Sequence, residues 1–336
     1  MAVGGGKERA PWLVADIGGT NARFAVYPPL LDPAAEPLAS GRLKTADYPG
    51  PAECARAFLE QHWKEPIGRA ALAIAAPVTG DEVSLTNAAW RFSVRQLRRD
   101  LGIQRLDLIN DFAALAHALP LLGAGDRLPV GPDLPAEPER PIAVIGPGTG
   151  LGTSAALSHE QRGWAVVAGE AGHTTAAARC EREAAILALL RRDSRHVSYE
   201  RVASGPGLVE LAGAVAKLGA APPPPQTPAG VVEAARAGDE GCREAVSLFQ
   251  GFLATFVGDM ALTFGALGGV YLAGGVLSHL DDLLDVSAFR ARMEDKGRFR
   301  DYLARIPVWR LNRPDVAYLG LRRLLLEHAE DEGTAA

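Results

Sequence analysis

The sequence predicts an α/β protein built from two related halves. Stretches with the composition of buried strands alternate with stretches of helical spacing along most of the 336 residues, an alternation typical of this class. The strand and glycine turn of residues 13–20 return in weaker form at residues 142–150, which indicates that both halves share one plan. A chain of this length favours two domains or one large bilobal domain.

In the first half, the local pattern predicts a hairpin and a series of alternating strands and helices. Residues 13–17 and 23–27 are expected to be short strands around the turn Gly18-Gly19-Thr20-Asn21. Further strands are expected near 41–44, within 69–80 and at 106–109, and helices at 52–63, at 93–102 and from Phe112 onward.

In the second half, residues 121–141 are rich in Gly and Pro and predict loops that cross between lobes. The Pro-rich stretch 221–230 predicts a surface loop without catalytic weight. The remaining pattern predicts a strand, glycine turn and strand at 142–157, and helices at 181–194, 234–267 and 317–332. It also predicts a strand, a Gly-Gly turn and the start of a helix at 268–280, and a strand at 306–311.

Composition and charge exclude several classes of protein. The net charge of −5 gives no general attraction to nucleic acid or to an anionic membrane. The three cysteines are far apart and form no CxxC pair, so neither a zinc knuckle nor a disulfide framework is indicated. The N-terminus lacks the apolar core of a signal peptide, and no run approaches 18 apolar residues. We therefore expect a cytoplasmic protein without a membrane span.

The glycine turns are candidates for binding anions. The dinucleotide fingerprint G-x-G-x-x-G and the Walker A loop are both absent. What remains is the turn at 18–20 and the turn GPGTG at 146–150. Their backbone N–H groups can form a concave nest for phosphate, although glycine hairpins without a ligand are common. A third turn, Gly274-Gly275, could pack against a flat ligand such as adenine. Asp16, just before the first turn, either stabilises the turn or holds Mg²⁺ through water.

The pair Asn110-Asp111 stands between a predicted strand and a predicted helix. Its ordinary role is to cap the helix, because Asn and Asp side chains accept the free backbone N–H groups of the first turn. The alternative is that Asp111 takes a proton from a substrate hydroxyl. The two roles are compatible, since one carboxylate oxygen can hold a backbone N–H while the other faces a substrate.

Glu170 and His173 lie three residues apart in a glycine-bounded loop, and Glu200 is a further candidate acceptor. The spacing suits a pair of metal ligands, but two ligands leave such a site incomplete and no HExxH or cysteine cluster supports it. A carboxylate and an imidazole also suit a polyol, because each sugar hydroxyl can donate and accept hydrogen bonds. As isolated residues they are more often ordinary loop groups.

Taken together, eight segments make the chain resemble the bacterial ATP-dependent glucokinases from Leu13 to Leu326. They occur in the family's order and approximate spacing, and they are LVADIGGTNARFAVY, LTNAAW, LINDFAALAHALP, IAVIGPGTGLGTSAAL, VAGEAGH, YERVASGPGLVEL, VYLAGGVL and MEDKGRFRDYL. The resemblance implies an actin-like (ribonuclease H-like) ATPase fold with two lobes hinged about a cleft that holds ATP and glucose. It implies a smaller lobe of residues 12–121, completed by a helix at 315–332, and a larger lobe of residues 122–314.

The resemblance also implies roles for individual residues. Asp111 would be the catalytic base, and the sugar would bind to Asn110, Asp111, Gly150, Glu170, His173 and Glu200. ATP and Mg²⁺ would be held by Asp16, Gly18, Gly19, Thr20 and Asn21 in one half and by Gly148, Thr149, Gly274 and Gly275 in the other. The resemblance favours a homodimer. The chain departs from the family at Ala171, where a glycine is frequent, and in the segment TTAAARC that follows His173.

The function expected from the resemblance is transfer of the γ-phosphoryl group of ATP to the 6-hydroxyl of D-glucose, the first step of glycolysis. Two other classes of protein share the scaffold. A sugar-responsive regulator would be expected to carry a DNA-binding helix-turn-helix, for which we expect no room before Leu13. An actin-like or chaperone-like ATPase would leave Asn110, Asp111, Glu170, His173 and Glu200 without a purpose.

Overall fold

The computed structural model describes residues 10–85, 90–159 and 163–334 and has the predicted alternation of strands and helices. The strands are β1 Trp12–Ile17, β2 Asn21–Tyr27, β3 Ala39–Lys44, β4 Arg69–Ile74, β5 Glu82–Ser84, β6 Arg91–Ser93, β7 Arg105–Asn110, β8 Arg127–Pro129, β9 Ile142–Pro147, β10 Leu151–His159, β11 Gly163–Gly169, β12 Val270–Leu272 and β13 Val308–Leu311. The helices are α1 Pro51–His62, α2 Val94–Asp100, α3 Asp111–Ala118, α4 Glu181–Leu190, α5 Gly205–Leu218, α6 Pro228–Arg236, α7 Glu240–Phe264, α8 Gly275–His279, α9 Val286–Glu294, α10 Arg300–Ala304 and α11 Val316–Thr334.

These elements form two compact units. The first unit comprises residues up to 122 together with those from 313 onward, and the second comprises residues 123–312. Helix α11, which comes last in the chain, therefore belongs to the unit that contains β1.

The first unit is built on a five-stranded sheet in the order β3-β2-β1-β4-β7, in which β1, β4 and β7 run parallel. Helix α1 covers one face, where Phe58 stacks on Phe24 of β2 at 5.2 Å between ring centroids. Helices α3 and α11 cover the other face. Burial on both faces explains the nearly continuous apolar runs of β1 and β4. The parallel register places Ile17, Ile74 and Asn110 side by side, so the carboxyl ends of three strands share one edge.

The second unit has a six-stranded sheet in the order β11-β10-β9-β12-β13-β8. Strands β9, β10 and β11 form an antiparallel meander, and β12 lies parallel to β9. Its largest helix is α7, whose Phe249, Phe252 and Phe256 are fully buried. Among the described helices, α7 alone is long and apolar enough to cross a membrane, but 78% of that apolar window is buried inside the protein, as in a core helix.

The structure departs from the expected elements in the second unit. The stretch 121–141 contains a short edge strand, β8, in addition to loops. Helix α6 begins at Pro228, inside the expected loop, because Thr227 Oγ1 accepts the Gly230 N–H at 3.1 Å and caps it. Strand β11 and helices α5 and α9 were not expected, since their patterns are short or interrupted by glycine and charged residues.

Helices α3 and α11 approach each other so closely that position 320 has no room for a side chain. A Cβ atom added to Gly320 would lie 1.8 Å from the carbonyl oxygen of Ala114 and 3.0 Å from the amide nitrogen of Ala118. Both atoms belong to the backbone of α3, which cannot move aside as a flexible side chain can.

We predict that Gly320→Ala destabilises the first unit by about 3 kcal/mol, the upper part of the usual range for overpacking. The control is Gly213→Ala in α5, where an added Cβ meets nothing within 4 Å and where alanine is the better helix former by about 1 kcal/mol. Thermal melting of both variants tests the packing. Equal melting temperatures would show that α3 and α11 are not in this close contact.

Charged and titratable side chains cluster between β7, α3 and α11. His117 Nδ1 of α3 lies 3.6 Å from Glu327 Oε2, and Arg323 Nε donates to Glu327 Oε1 at 2.7 Å. His328 Nδ1 lies 3.2 Å from Asp107 Oδ1. Burial, followed by the positive charges of Arg323 and His328, lowers the pKa of His117 to about 4.

The lowered pKa of His117 makes the stability of the first unit dependent on pH. Below the ordinary pKa of 6.5 the unfolded chain binds a proton at His117, whereas the folded protein stays neutral there down to about pH 4. Stability is therefore full above pH 6.5 and falls as the pH drops towards 4, by up to about 3 kcal/mol.

We expect urea unfolding of the wild type to show a larger loss of stability between pH 7 and pH 5 than His117→Gln, by about 2 kcal/mol. The other acidic and basic groups titrate in both proteins, so the difference isolates His117. Parallel pH profiles would contradict the assignment.

Candidate functional site

The first glycine turn, residues 18–21, is braced by the neighbouring strand β3 and the residue after it. The Gly18 N–H donates to Asn21 O at 2.9 Å and closes the turn. Thr45 Oγ1 donates to Gly19 O at 2.7 Å, and the Thr45 N–H donates to Thr20 O at 3.1 Å. Thr45 is a residue that the sequence did not single out. The hydrogen bonds from Thr45 fix the turn through the carbonyl oxygens of Gly19 and Thr20.

Asp16 lies opposite Arg23 in the β1–β2 hairpin, with Asp16 Oδ2 3.6 Å from Arg23 Nη1. Burial raises the pKa of the Asp16 carboxyl, and the positive charge of Arg23 acts in the opposite direction. The side chain still keeps 32% of its surface exposed, so desolvation is incomplete. Asp16 is thus a partly buried carboxylate one residue before the end of β1. It lies at the edge of the sheet where the carboxyl ends of β1, β4 and β7 meet.

The structure divides the roles of Asn110 and Asp111. Asn110 is the N-cap of α3, and its Oδ1 accepts the N–H groups of Phe112 at 2.9 Å and Ala113 at 3.4 Å. Asp111 is the first residue of the helix, with Oδ1 3.0 Å from the Phe112 nitrogen. Of the pair expected to cap the helix, Asn110 holds the N-cap position, and Asp111 Oδ1 accepts the Phe112 N–H as well. Asp111 is partly buried at the carboxyl edge of the parallel strands.

In the second unit, two of the expected turns meet at the end of β9. The Gly148 N–H donates to Gly150 O at 2.8 Å, and the Gly205 N–H at the start of α5 donates to Gly148 O at 2.8 Å. Gly274 has φ +97°, and a Cβ there would lie 2.3 Å from Pro147 O. Gly148 and Gly274 are therefore neighbours through Pro147. Thr149 is exposed at the tip of its turn, and Gly275 begins the short helix α8.

Glu200 joins this turn to the loop that carries His173. Glu200 Oε2 accepts the Leu151 N–H at 2.9 Å, and Glu200 Oε1 lies 3.8 Å from His173 Nδ1. The Glu200 N–H donates to Gly172 O at 2.9 Å. His173 is 60% exposed and Glu200 31% exposed, so both side chains remain reachable from solvent.

Glu170 lies immediately after β11, and its carbonyl accepts the His173 N–H at 3.0 Å in a single helical turn. The Glu170 side chain is exposed. In the part of the chain that the structure describes, no group of three or more His, Cys, Asp or Glu side chains could hold a metal ion. The geometry thus gathers Gly150, Glu170, His173 and Glu200 around one loop without assembling a metal centre there.

Comparison with known proteins identifies the family. The glucokinase family model matches residues 13–328. The chain is 44% identical to the glucokinase of Paramagnetospirillum magneticum over 320 aligned residues. The alignment covers 94% of this chain and 97% of that glucokinase. The chain belongs to the glucokinase family.

Solved structures related to this family share the fold. A glucokinase from an Antarctic psychrotroph is 34% identical, with a TM-score of 0.83 over 94% of this chain and 99% of that one. A ROK-family glucokinase from Streptomyces griseus, solved with glucose and AMPPNP, is 20% identical with a TM-score of 0.63 over 94% and 98% of the two chains. The second likeness bears on the fold alone. The expected α/β class and the actin-like ATPase fold are confirmed.

Two residues that the glucokinase motifs do not point to hold the candidate groups in place. Thr45 and the cap Ser204, whose Oγ accepts the Gly207 N–H at 3.1 Å, lie outside the residues expected to bind ligand. Their signal in the sequence is weak, since Ser and Thr are common in loops. The motif LTNAAW falls in part on residues 86–89, which lie outside the described residues.

Two glycines of this glucokinase-family site should respond differently to the addition of one methyl group. A Cβ at Gly150 would meet Glu200 Oε2 at 2.5 Å, the end of a side chain that can rotate away, whereas a Cβ at Gly172 would meet the Leu151 backbone carbonyl at 2.1 Å. We predict that Gly172→Ala loses about 1–3 kcal/mol of stability and that Gly150→Ala melts almost normally but exchanges its Leu151 amide hydrogen faster. Indistinguishable melting curves for the two variants would contradict this geometry.

Proposed function

We propose that this protein is an ATP-dependent glucokinase, which transfers the γ-phosphoryl group of ATP to the 6-hydroxyl of D-glucose and releases glucose 6-phosphate and ADP. The observation that carries the proposal is the pairing of Glu200 with His173 beside Gly150 in a chain of this family. A carboxylate and an imidazole held next to each other match vicinal hydroxyl groups, each of which donates and accepts hydrogen bonds.

The sugar is held by Asn110, Asp111, Gly150, Glu170, His173 and Glu200. Glu200 already uses one oxygen on the Leu151 amide, which leaves its second oxygen and the exposed His173 ring to meet the hydroxyls. Gly150 lets the Glu200 carboxylate lie close to the turn, since any larger residue would occupy its place.

Asp111 is the catalytic base in this proposal. Phosphoryl transfer depends mainly on positioning and on stabilising charge, and a carboxylate near the attacking hydroxyl accepts the proton as the O–P bond forms. Asp111 stands at the first position of α3, where the helix dipole favours the ionised carboxylate that a base requires. Asn110 supplies the cap, so the helix does not depend on Asp111 for it.

The phosphates of ATP bind to the backbone of Gly18, Gly19, Thr20 and Asn21 and of Gly148 and Thr149, and Gly274 and Gly275 lie near the adenosine. The Streptomyces griseus glucokinase was solved with AMPPNP, which supports ATP as the donor. The partly buried Asp16 has a charge that Arg23 balances only at 3.6 Å, which suits a hydrated Mg²⁺ ion. Mg²⁺ supplies positive charge that neutralises the phosphates.

The wider biological setting is also part of the proposal. In this proposal the two compact units serve as the smaller and the larger lobe. The protein works in the cytoplasm as a homodimer at the first step of glycolysis, and neither nucleic acid nor a membrane is a partner.

An assay that couples ADP release to a spectroscopic signal tests the reaction. ADP release that requires glucose supports a glucokinase, and release that ignores glucose indicates an actin-like or chaperone-like ATPase.

We predict that Asp111→Asn folds and binds glucose but lowers kcat by about 10²–10⁴-fold, the usual contribution of general base catalysis. Asparagine is nearly isosteric but cannot accept the proton. The control is Asp100→Asn, an exposed substitution at the end of α2 that keeps full activity. The measurement is kcat at saturating glucose beside a melting curve. A kcat within tenfold of wild type in a normally melting variant would rule out Asp111 as the base.

A further inference from the structure

A polar chain of three side chains leads from the segment after α9 to the loop that carries Glu200. Lys296 Nζ donates to Asp259 Oδ1 of α7 at 2.5 Å. The backbone on either side is held close, because a Cβ at Gly258 would lie 2.4 Å from Met293 O. The Lys296 side chain is only 13% exposed, so its charge is committed to this contact.

The second carboxylate oxygen of Asp259 continues the chain. Tyr199 Oη donates to Asp259 Oδ2 at 3.0 Å. Tyr199 is 4% exposed, and its ring lies 5.1 Å from that of Phe256 between centroids. Burial, followed by the negative charge of Asp259, raises the pKa of Tyr199. The hydroxyl therefore stays protonated and remains a donor to Asp259.

The backbone of Tyr199 holds the segments of the candidate sugar site. The Tyr199 N–H donates to Thr174 O at 3.0 Å, next to His173. The following amide, that of Glu200, donates to Gly172 O at 2.9 Å on the other side of His173. Anchoring Tyr199 to α7 thus fixes the backbone at His173 and at Glu200 together.

We propose that Lys296, Asp259 and Tyr199 are positioning residues that set the affinity of the site for glucose. The inference rests on the proposed function, because it concerns the sugar contacts of Glu200 and His173. None of the three side chains contacts the sugar; they act by holding two loops in register. Loss of the hydrogen bonds among Lys296, Asp259 and Tyr199 should weaken sugar binding and leave nucleotide binding and phosphoryl transfer nearly unchanged.

The first test is steady-state kinetics of Tyr199→Phe and Lys296→Met. Each removes one hydrogen bond to the charged Asp259, and we expect the KM for glucose to rise about 10-fold, with kcat and the KM for ATP within about twofold of wild type. Lys296→Arg keeps the positive charge and should keep most of the affinity for glucose that Lys296→Met loses. The double variant should be little worse than either single variant, because both act through Asp259.

The matched control is Arg182→Met, which removes another ion pair to α7. Arg182 donates to Glu244 through Nε at 2.5 Å and through Nη2 at 3.0 Å. It should leave the KM for glucose unchanged. An unchanged KM for glucose in Tyr199→Phe and Lys296→Met would overturn the inference, as would a parallel change in kcat and both KM values.

The second test does not depend on turnover. Hydrogen exchange at the Glu200 amide should be about 10-fold faster in Tyr199→Phe and Lys296→Met than in wild type or Arg182→Met. Unchanged exchange overturns the inference whatever the kinetics. If exchange is faster but the wild type does not phosphorylate glucose, the positioning role stands and the proposed function alone fails.

Discussion

The hydrogen bond from the Leu151 amide to the Glu200 carboxylate is the contact on which the second unit's candidate site depends. It joins the first residue of β10 to a loop 49 residues later in the chain. It forms because Gly150 and Gly172, on either side of Leu151 in space, have no side chains to keep the segments apart. Once it forms, the imidazole of His173 lies beside the same carboxylate, and four candidate sugar residues occupy one small region.

In the first unit, a carboxylate lies at the start of a helix without being needed as the helix cap. Parallel β1, β4 and β7 end at one edge, so Asp16 and Asp111 are brought to that edge by the sheet itself. Asn110 takes the N-cap position, and Asp111 occupies the first turn, where the helix dipole stabilises negative charge. The cap and the candidate catalytic carboxylate are thus neighbouring residues rather than one residue.

Polar groups that are buried or partly buried tie the candidate residues in both units to the core. Thr45 braces the first glycine turn, Ser204 caps α5 beside the second, and the contacts of Asp259 with Lys296 and Tyr199 connect α7 to the loop that carries Glu200. Such groups are costly to bury unless they are paired, so each is a constraint as well as a contact. Rigid support of this kind is what a site for a small polyol requires.

The sequence by itself determined the α/β class, the family and the approximate place of most strands and helices. Burial of one face of an element produces a regular spacing of apolar residues in the sequence, and tight turns require glycine at particular positions. It singled out Glu170, His173 and Glu200 from residue type and spacing. Only the tertiary structure decided that Asn110 rather than Asp111 caps α3, that Gly150 makes room for Glu200, and that Tyr199 is anchored by Asp259, which Lys296 also contacts. These features depend on contacts between residues that are far apart in the chain or on the direction of a single side chain, and neither leaves a periodic signal in the sequence.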